Sequence, residues 1–121
     1  MKLAQDAALV FIGAGIGAVL RWFIGLYIHG NWPVNTFIVN SVGSFAIGVM
    51  ASVIARNTGS YSFWVIGLLG GFTTFSSFSL EFQRLVTDRG VAAALGYAAL
   101  TNVSCLLLCA LGTTLVPKGV A

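Results

Sequence analysis

Polar positions are scarce along this chain, and where they fall divides it into four. Apolar runs at about residues 7–28, 34–55, 61–82 and 91–116 are separated only by the connectors "HGNWPVN", "RNTGS" and "TDRG". Each run reaches the roughly 20 residues that a helix needs to cross the hydrocarbon of a bilayer. The connectors are short and made of turn formers and charges, so consecutive helices are expected to be antiparallel neighbours. The expected fold class is an all-α membrane protein, with four transmembrane helices in one domain over residues 1–121.

Composition agrees with this pattern. Of 121 residues, 58% are hydrophobic and 7% charged, with a mean hydropathy of +0.96, whereas ordinary globular domains carry roughly a quarter charged residues. The spans leave almost no room for a soluble domain, and no linker, low-complexity tract or convincing repeat interrupts them. Lys2 ahead of an apolar run also admits a secretory-signal reading of residues 1–20. Against it, Asp6 interrupts the start, Arg21 follows, and no clean small-x-small cleavage site stands out.

Cys105 and Cys109 lie one helical turn apart in the fourth span, without a CxxC spacing or a histidine nearby. A disulfide is geometrically awkward at that spacing on one helix, so they read as small apolar packing residues. His29, beside Gly30 in the first connector, reads as a solvated interfacial side chain.

Orientation in the membrane normally follows an excess of Lys and Arg on cytoplasmic loops. Here the count is tied. Lys2, Arg56 and Lys118 fall on the face that holds both termini, while Arg84, Arg89 and, near the end of the first span, Arg21 fall on the other. Either the tie is chance, or the chain inserts both ways up and its two orientations pair as an antiparallel, dual-topology homodimer. Four helices are too few to wall off a wide hydrated path, so a transport function favours the dimer. Close helix contact has its own support in Gly13 and Gly17, a GxxxG pattern, and in Ser41, Gly43, Ser44 and Gly48 of the second span.

The third span contains the passage that most resists a purely structural reading. In "GGFTTFSSFSLE", residues 70–81, two glycines and five hydroxyl residues interleave with phenylalanines inside an apolar run. Glycine is a poor helix former and threonine competes for freed backbone groups, so the spacing predicts a break at Gly70 and Gly71. The alternative is a continuous helix that uses glycine for close packing. Irregular backbone at membrane depth survives only when buried in protein or lining a hydrated cavity, where its carbonyls can hold a cation. With helix resuming at about Thr74, the 3.6-residue period places Phe75, Phe78 and Phe82 on one stripe. It places Thr74, Ser77, Glu81 and Arg84 on the adjacent one.

Hydroxyl donors beside the positive edges of phenylalanine rings can solvate a small anion without a fixed charge. A fixed charge would hold the ion too tightly to release it. Asn40 adds amide donors from the second span, and Tyr97, Thr101, Asn102 and Ser104 add polar groups from the fourth. Buried without partners, such groups cost several kcal/mol in hydrocarbon, on the order of 2–7. They need either an ion or one another, and interhelical hydrogen bonding alone accounts for them equally well. For Glu81 the two readings are an ion pair with Arg84 and a role in a vestibule.

At these residues the chain resembles a known family. The string "GGFTTFSSFSLE" is similar to the signature of the Fluc, or CrcB, fluoride channels. The strings "GAVLRW", residues 17–22, and "VNSVGS", residues 39–44, resemble the motifs of the first and second spans. The resemblance implies passive fluoride export from the cytoplasm, through two pores of an antiparallel homodimer in a bacterial inner membrane. By position it makes Phe75 and Phe78 the paired rings that face fluoride and Asn40 the pore asparagine. Ser77, Tyr97 and Thr101 would join the pathway, with Arg21 and Glu81 at the vestibule. It also implies a central structural Na+ held by the backbone carbonyls of Gly70 and Thr73.

Two rivals are weaker. A small multidrug-resistance-type exporter needs a titratable carboxylate deep in a span, classically the first, where this chain has only Asp6 at the edge. A non-transporting assembly subunit of a larger complex would dimerise poorly and carry no flux. The spans offer no plausible base, metal cluster or partnered nucleophile, so an enzyme is not expected.

Overall fold

The computed structural model describes residues 2–117, so Lys118 of the charge tie lies outside the described residues. All four expected spans are helical. α1 covers Lys2–Tyr27 and α2 covers Val34–Val53. The third crossing is assembled from pieces: α3 (Gly59–Tyr61), a π-helical segment (Ser62–Leu69) and α4 (Gly70–Phe72), then, after a break, α5 (Phe75–Arg89). α6 (Val91–Thr114) makes the last crossing, and the described residues include no strand.

Two seams carry most of the packing, α1 against the π-helical segment and α2 against α6. Both depend on small residues. The buried residues of α1 are Gly13 and Gly17. A Cβ on Gly13 would stand 2.5 Å from the Phe63 carbonyl oxygen, and one on Gly17 would collide with that of Leu68. On the second seam a Cβ on Gly48 would strike the Cys109 carbonyl. The glycine patterns therefore let backbones touch, which is how membrane helices gain attraction without a hydrophobic driving force. Outside the seams Phe11, Trp22, Leu106 and Leu107 are exposed, as suits helices whose surroundings are hydrocarbon.

The connectors are pinned locally. Thr58 caps α3 by accepting from the Tyr61 N–H at 3.2 Å. Gly90, at φ 95°, ends α5 by donating its N–H to the carbonyls of Leu85 and Val86. That conformation favours glycine and turns the chain directly into α6. The Arg89 guanidinium lies 4.5 Å from the centre of the Trp32 ring, joining this turn to the α1–α2 connector.

The break in the third crossing falls later than the glycine pair. Gly70 is helical, with φ −63° and ψ −36°, and a Cβ on Gly71 would collide with the Ala14 carbonyl. Gly71 serves packing, while Gly70 stays open. The chain leaves the helix at Thr73 and Thr74, both extended, and the cause comes from another helix. Asn40 on α2 donates Nδ2–H to the Thr74 carbonyl at 2.9 Å and accepts the Thr74 N–H on Oδ1 at 2.8 Å. A continuous helix would have given that N–H to the Gly70 carbonyl. Thr74 Oγ1 then caps α5 by accepting the Ser77 N–H at 3.2 Å. Gly43 leaves the space that Thr73 occupies, since a Cβ there would meet Thr73 Cγ2.

Candidate functional site

The Asn40–Thr74 contact stands between two cavities. The inner one, about 320 Å³, is lined by Asn40, Thr73, Thr74, Phe75, Phe78, Thr101, Asn102 and Cys105, with Gly43, Ser44 and Ile47 completing its α2 wall. The outer one, about 380 Å³, takes Arg21 from α1, Asn35 and Thr36 from α2, and Thr74, Ser77 and Glu81 from the third crossing. Thr74 lines both.

This division separates the two stripes of α5. Phe75 and Phe78 face the inner cavity, whereas Ser77 and Glu81 face the outer one. Arg84 lines neither and sits beside Asp88 near the α1–α2 connector. The rings of Phe75 and Phe78 are 5.4 Å apart, centre to centre, and Phe78 is also 5.4 Å from Tyr97. Their surroundings differ sharply. Phe78 is 8% exposed within the core cluster with Leu85, Ala94 and Tyr97, but Phe75 is 73% exposed.

The inner cavity has no charged residue in its lining, which is mostly apolar with a few polar groups. Asn40 has a second amide hydrogen left after its bond to Thr74. Thr101 is 4% exposed, and its hydroxyl, buried near that of Tyr97, has no well-formed hydrogen bond among the described residues. Asn102 turns its amide back to the Ala98 carbonyl at 2.7 Å. Ser104 and Cys105, adjacent on α6 after Thr101, separate clearly. Ser104 shares a 3.2 Å hydrogen bond with Ser41 on α2, while Cys105, one turn after Thr101, lines the cavity.

In the outer cavity the charged groups are already engaged. Arg21 donates Nε–H to the Gly71 carbonyl at 3.3 Å. Glu81 accepts from Thr36 Oγ1 at 2.7 Å on one carboxylate oxygen and from the Tyr97 hydroxyl at 3.2 Å on the other. An ion pair between Glu81 and Arg84 does not form among the described residues. Tyr97 therefore presents its ring to Phe78 and its hydroxyl to Glu81. Thr36 went unnoticed in the sequence, although it stands one turn before Asn40 on the same face of α2. Asn35 also went unnoticed; its Oδ1 is buried without a partner, and no sequence signal distinguished it from a connector residue.

Gly70 lies on an exposed face, with nothing within 4 Å of where its Cβ would stand. The Gly70 and Thr73 carbonyls have both lost the donors a continuous helix would supply, because the Thr74 and Ser77 N–H groups bond elsewhere. The inner cavity thus brings phenylalanine rings and a few neutral polar groups together without a fixed charge. Beside it stand backbone oxygens suited to a hard cation.

Comparison with known proteins places the chain in a family. The sequence matches the family described as "CrcB-like protein, Camphor Resistance (CrcB)" over residues 8–113. It is 38% identical to the Yersinia pestis protein named "Fluoride-specific ion channel FluC 3", an alignment covering 93% of this chain and 97% of the relative. It is 42% identical to "Fluoride-specific ion channel FluC" of Bordetella petrii, covering 85% and 84%. Against "Fluoride-specific ion channel FluC 2" of Nocardia farcinica the identity is 40%, covering 86% and 79%. A match that spans all four crossings, with relatives at this identity over most of their length, establishes that the chain belongs to the CrcB-like family.

Proposed function

We propose that this chain is the subunit of a fluoride-selective channel that lets the anion leave a bacterial cell passively across the inner membrane. The inner cavity carries this reading: uncharged donors and aromatic edges gather there at a helix break, in a chain whose relatives are named as fluoride-specific ion channels.

Fluoride entering from the outer cavity passes Arg21 and Ser77 and meets the free amide hydrogen of Asn40. Phe75 and Phe78 then offer the positive edges of their rings, and Thr101 offers its unspent hydroxyl. Past Arg21 none of these groups carries a full charge, so together they offset dehydration without trapping the ion. Chloride is larger and gains less from close-set donors, so a narrow path rejects it. Glu81 stays beside this route with both oxygens occupied by Thr36 and Tyr97.

The acting unit in this proposal is an antiparallel homodimer. Phe75 and the Gly70 backbone are exposed at membrane depth on the single subunit, and hydrocarbon does not tolerate irregular backbone on its surface. A second copy in the opposite orientation would cover them and create two equivalent pathways, in keeping with the tied charge count. The Gly70 and Thr73 carbonyls fit a structural Na+, because they are hard oxygen donors released from helical bonding. A second copy would double their number. Bound there, the ion would hold the two breaks together.

The test is fluoride efflux from liposomes containing the purified protein, followed with a fluoride electrode and with chloride efflux as control. Rapid fluoride release without chloride release is expected. No release from folded dimers would favour an assembly subunit. Phe75→Ile and Phe78→Ile should each slow efflux by about tenfold, a barrier change of about 1.4 kcal/mol, without dissociating the dimer. Normal flux in both variants would remove the proposed roles of the rings.

A further inference from the structure

We infer that the groove between the starts of α2 and α6 holds an anionic phospholipid of the bilayer, with its phosphate on Arg89 and an acyl chain along the groove. The inference needs a membrane location but not the channel reading above.

The groove, about 230 Å³, is lined by Trp32, Pro33, Val34, Phe37, Tyr97 and Leu100. Its wall is apolar, because the Tyr97 hydroxyl turns away to Glu81. It runs from the connector end of the bundle toward the hydrocarbon: Phe37 is one turn into α2, and Leu100 lies nine residues, about 13 Å, into α6. It also faces away from the inner cavity. At 3.6 residues per turn, Leu100 stands roughly 140° around α6 from Cys105, so a second copy can cover the face that carries Phe75 while the groove stays open to lipid.

An apolar groove alone accepts any hydrocarbon chain, and the charge at its mouth selects the headgroup. The Arg89 guanidinium lies 4.5 Å from the centre of the Trp32 ring. Arg89 is exposed and makes no ion pair or side-chain hydrogen bond among the described residues. The other charges at this end are matched. Arg21 shares the outer cavity with Glu81, and Arg84 shares a pocket with Asp88, which leaves Arg89 as the uncompensated cation. A guanidinium held over an aromatic face keeps its N–H fork for a phosphate. Tryptophan favours headgroup depth, where that phosphate stands. A zwitterionic lipid brings a cation of its own, which Arg89 repels, whereas an anionic lipid brings only negative charge.

The experiment follows fluorescence of Trp32 in full-length protein carrying Trp22→Phe and Trp64→Phe, in phosphatidylcholine vesicles with a minor share of brominated lipid. Brominated phosphatidylglycerol should be enriched beside Trp32 about fivefold over brominated phosphatidylcholine, the preference that one interfacial arginine supplies. The excess should vanish in Arg89→Gln, persist in Arg89→Lys and Arg84→Gln, and fade in about 1 M salt, where screening acts within about 3 Å. Glycerol phosphate, a headgroup without chains, should not relieve it. The lipids retained by the unmodified sequence, counted by native mass spectrometry from an equal mixture of the two, give the same comparison without any tryptophan change. Equal quenching by both lipids, or an excess that survives Arg89→Gln, would overturn the headgroup site. Relief by glycerol phosphate would overturn the groove as the seat of the chain. Protection of Trp32 from both lipids would mean that a second copy or another protein covers the groove, and would overturn the proposal altogether.

Discussion

The two cavities on either side of the Asn40–Thr74 contact are built on opposite terms. The outer one contains Arg21 and Glu81, and hydrogen bonds to Gly71, Thr36 and Tyr97 engage both. The inner one has no charged lining, but it retains the unspent Thr101 hydroxyl and one free amide hydrogen on Asn40. Both charges shape the potential over the outer cavity from a distance, and Arg21 keeps most of its five N–H donors after its one bond to Gly71. Free neutral donors do the reverse, acting only on an ion that comes into contact. Under the proposed channel function, attraction and dehydration fall to separate places, and each should be alterable without the other.

The largest effect is expected where the two places join. Asn40→Ala strips partners from both the N–H and the carbonyl of Thr74, at about 1–3 kcal/mol for each buried group. Thermal unfolding in detergent should shift accordingly. Fluoride efflux should fall by at least about 100-fold, close to 2.7 kcal/mol of barrier, because the break and its donor disappear together. Efflux near normal would mean that the break maintains itself, and the division between cavities would lose its structural basis.

Thr101→Val should separate stability from transport. The methyl group replaces a buried hydroxyl that lacks a well-formed hydrogen bond, so the variant should be as stable as the parent or more stable, by up to about 1 kcal/mol. Efflux should nevertheless drop by about tenfold. Opposite movements in the two measurements are the mark of a group retained for function at the expense of the fold. A fall in both would reassign Thr101 to ordinary packing.

Much of this arrangement can be read from the chain alone, and the misreadings share one cause. The four spans follow from long apolar runs, and the positions of Phe75, Phe78 and Ser77 on α5 follow from helical periodicity. Both are local properties. The break was misplaced because local propensity points to Gly70 and Gly71, whereas Asn40, 34 residues distant from Thr74, decides where the chain leaves the helix. The Glu81–Arg84 pairing failed in the same way. Sequence spacing allows it, but Thr36 and Tyr97 reach the carboxylate from other helices. That Cys105 and not Ser104 lines the inner cavity likewise depends on how α6 is rotated against α2, which no periodicity in α6 alone can fix.

Glu81→Gln tests the outer cavity on the same scale. The amide offers one acceptor oxygen where the carboxylate offered two, so either Thr36 or Tyr97 must turn to accept from the amide N–H, at a cost of up to about 1 kcal/mol. Efflux should change by no more than about threefold, roughly 0.65 kcal/mol of barrier. A loss as deep as that of Asn40→Ala would show that the carboxylate belongs to the path itself.

The smallest effect should come from Ser104→Ala. Its hydroxyl bonds to Ser41 across the α2–α6 seam, outside both cavities, and interhelical hydrogen bonds in membranes contribute only about 0.6 kcal/mol on average. Unfolding should move by about that amount and fluoride efflux should be unchanged. The variant is informative because Ser104 precedes Cys105 and carries the same kind of donor as Thr101, so composition alone cannot tell them apart. If Ser104→Ala slows efflux as much as Thr101→Val does, α6 must turn its serine into the path when the channel conducts, and the inner cavity would then be only one of its lining states.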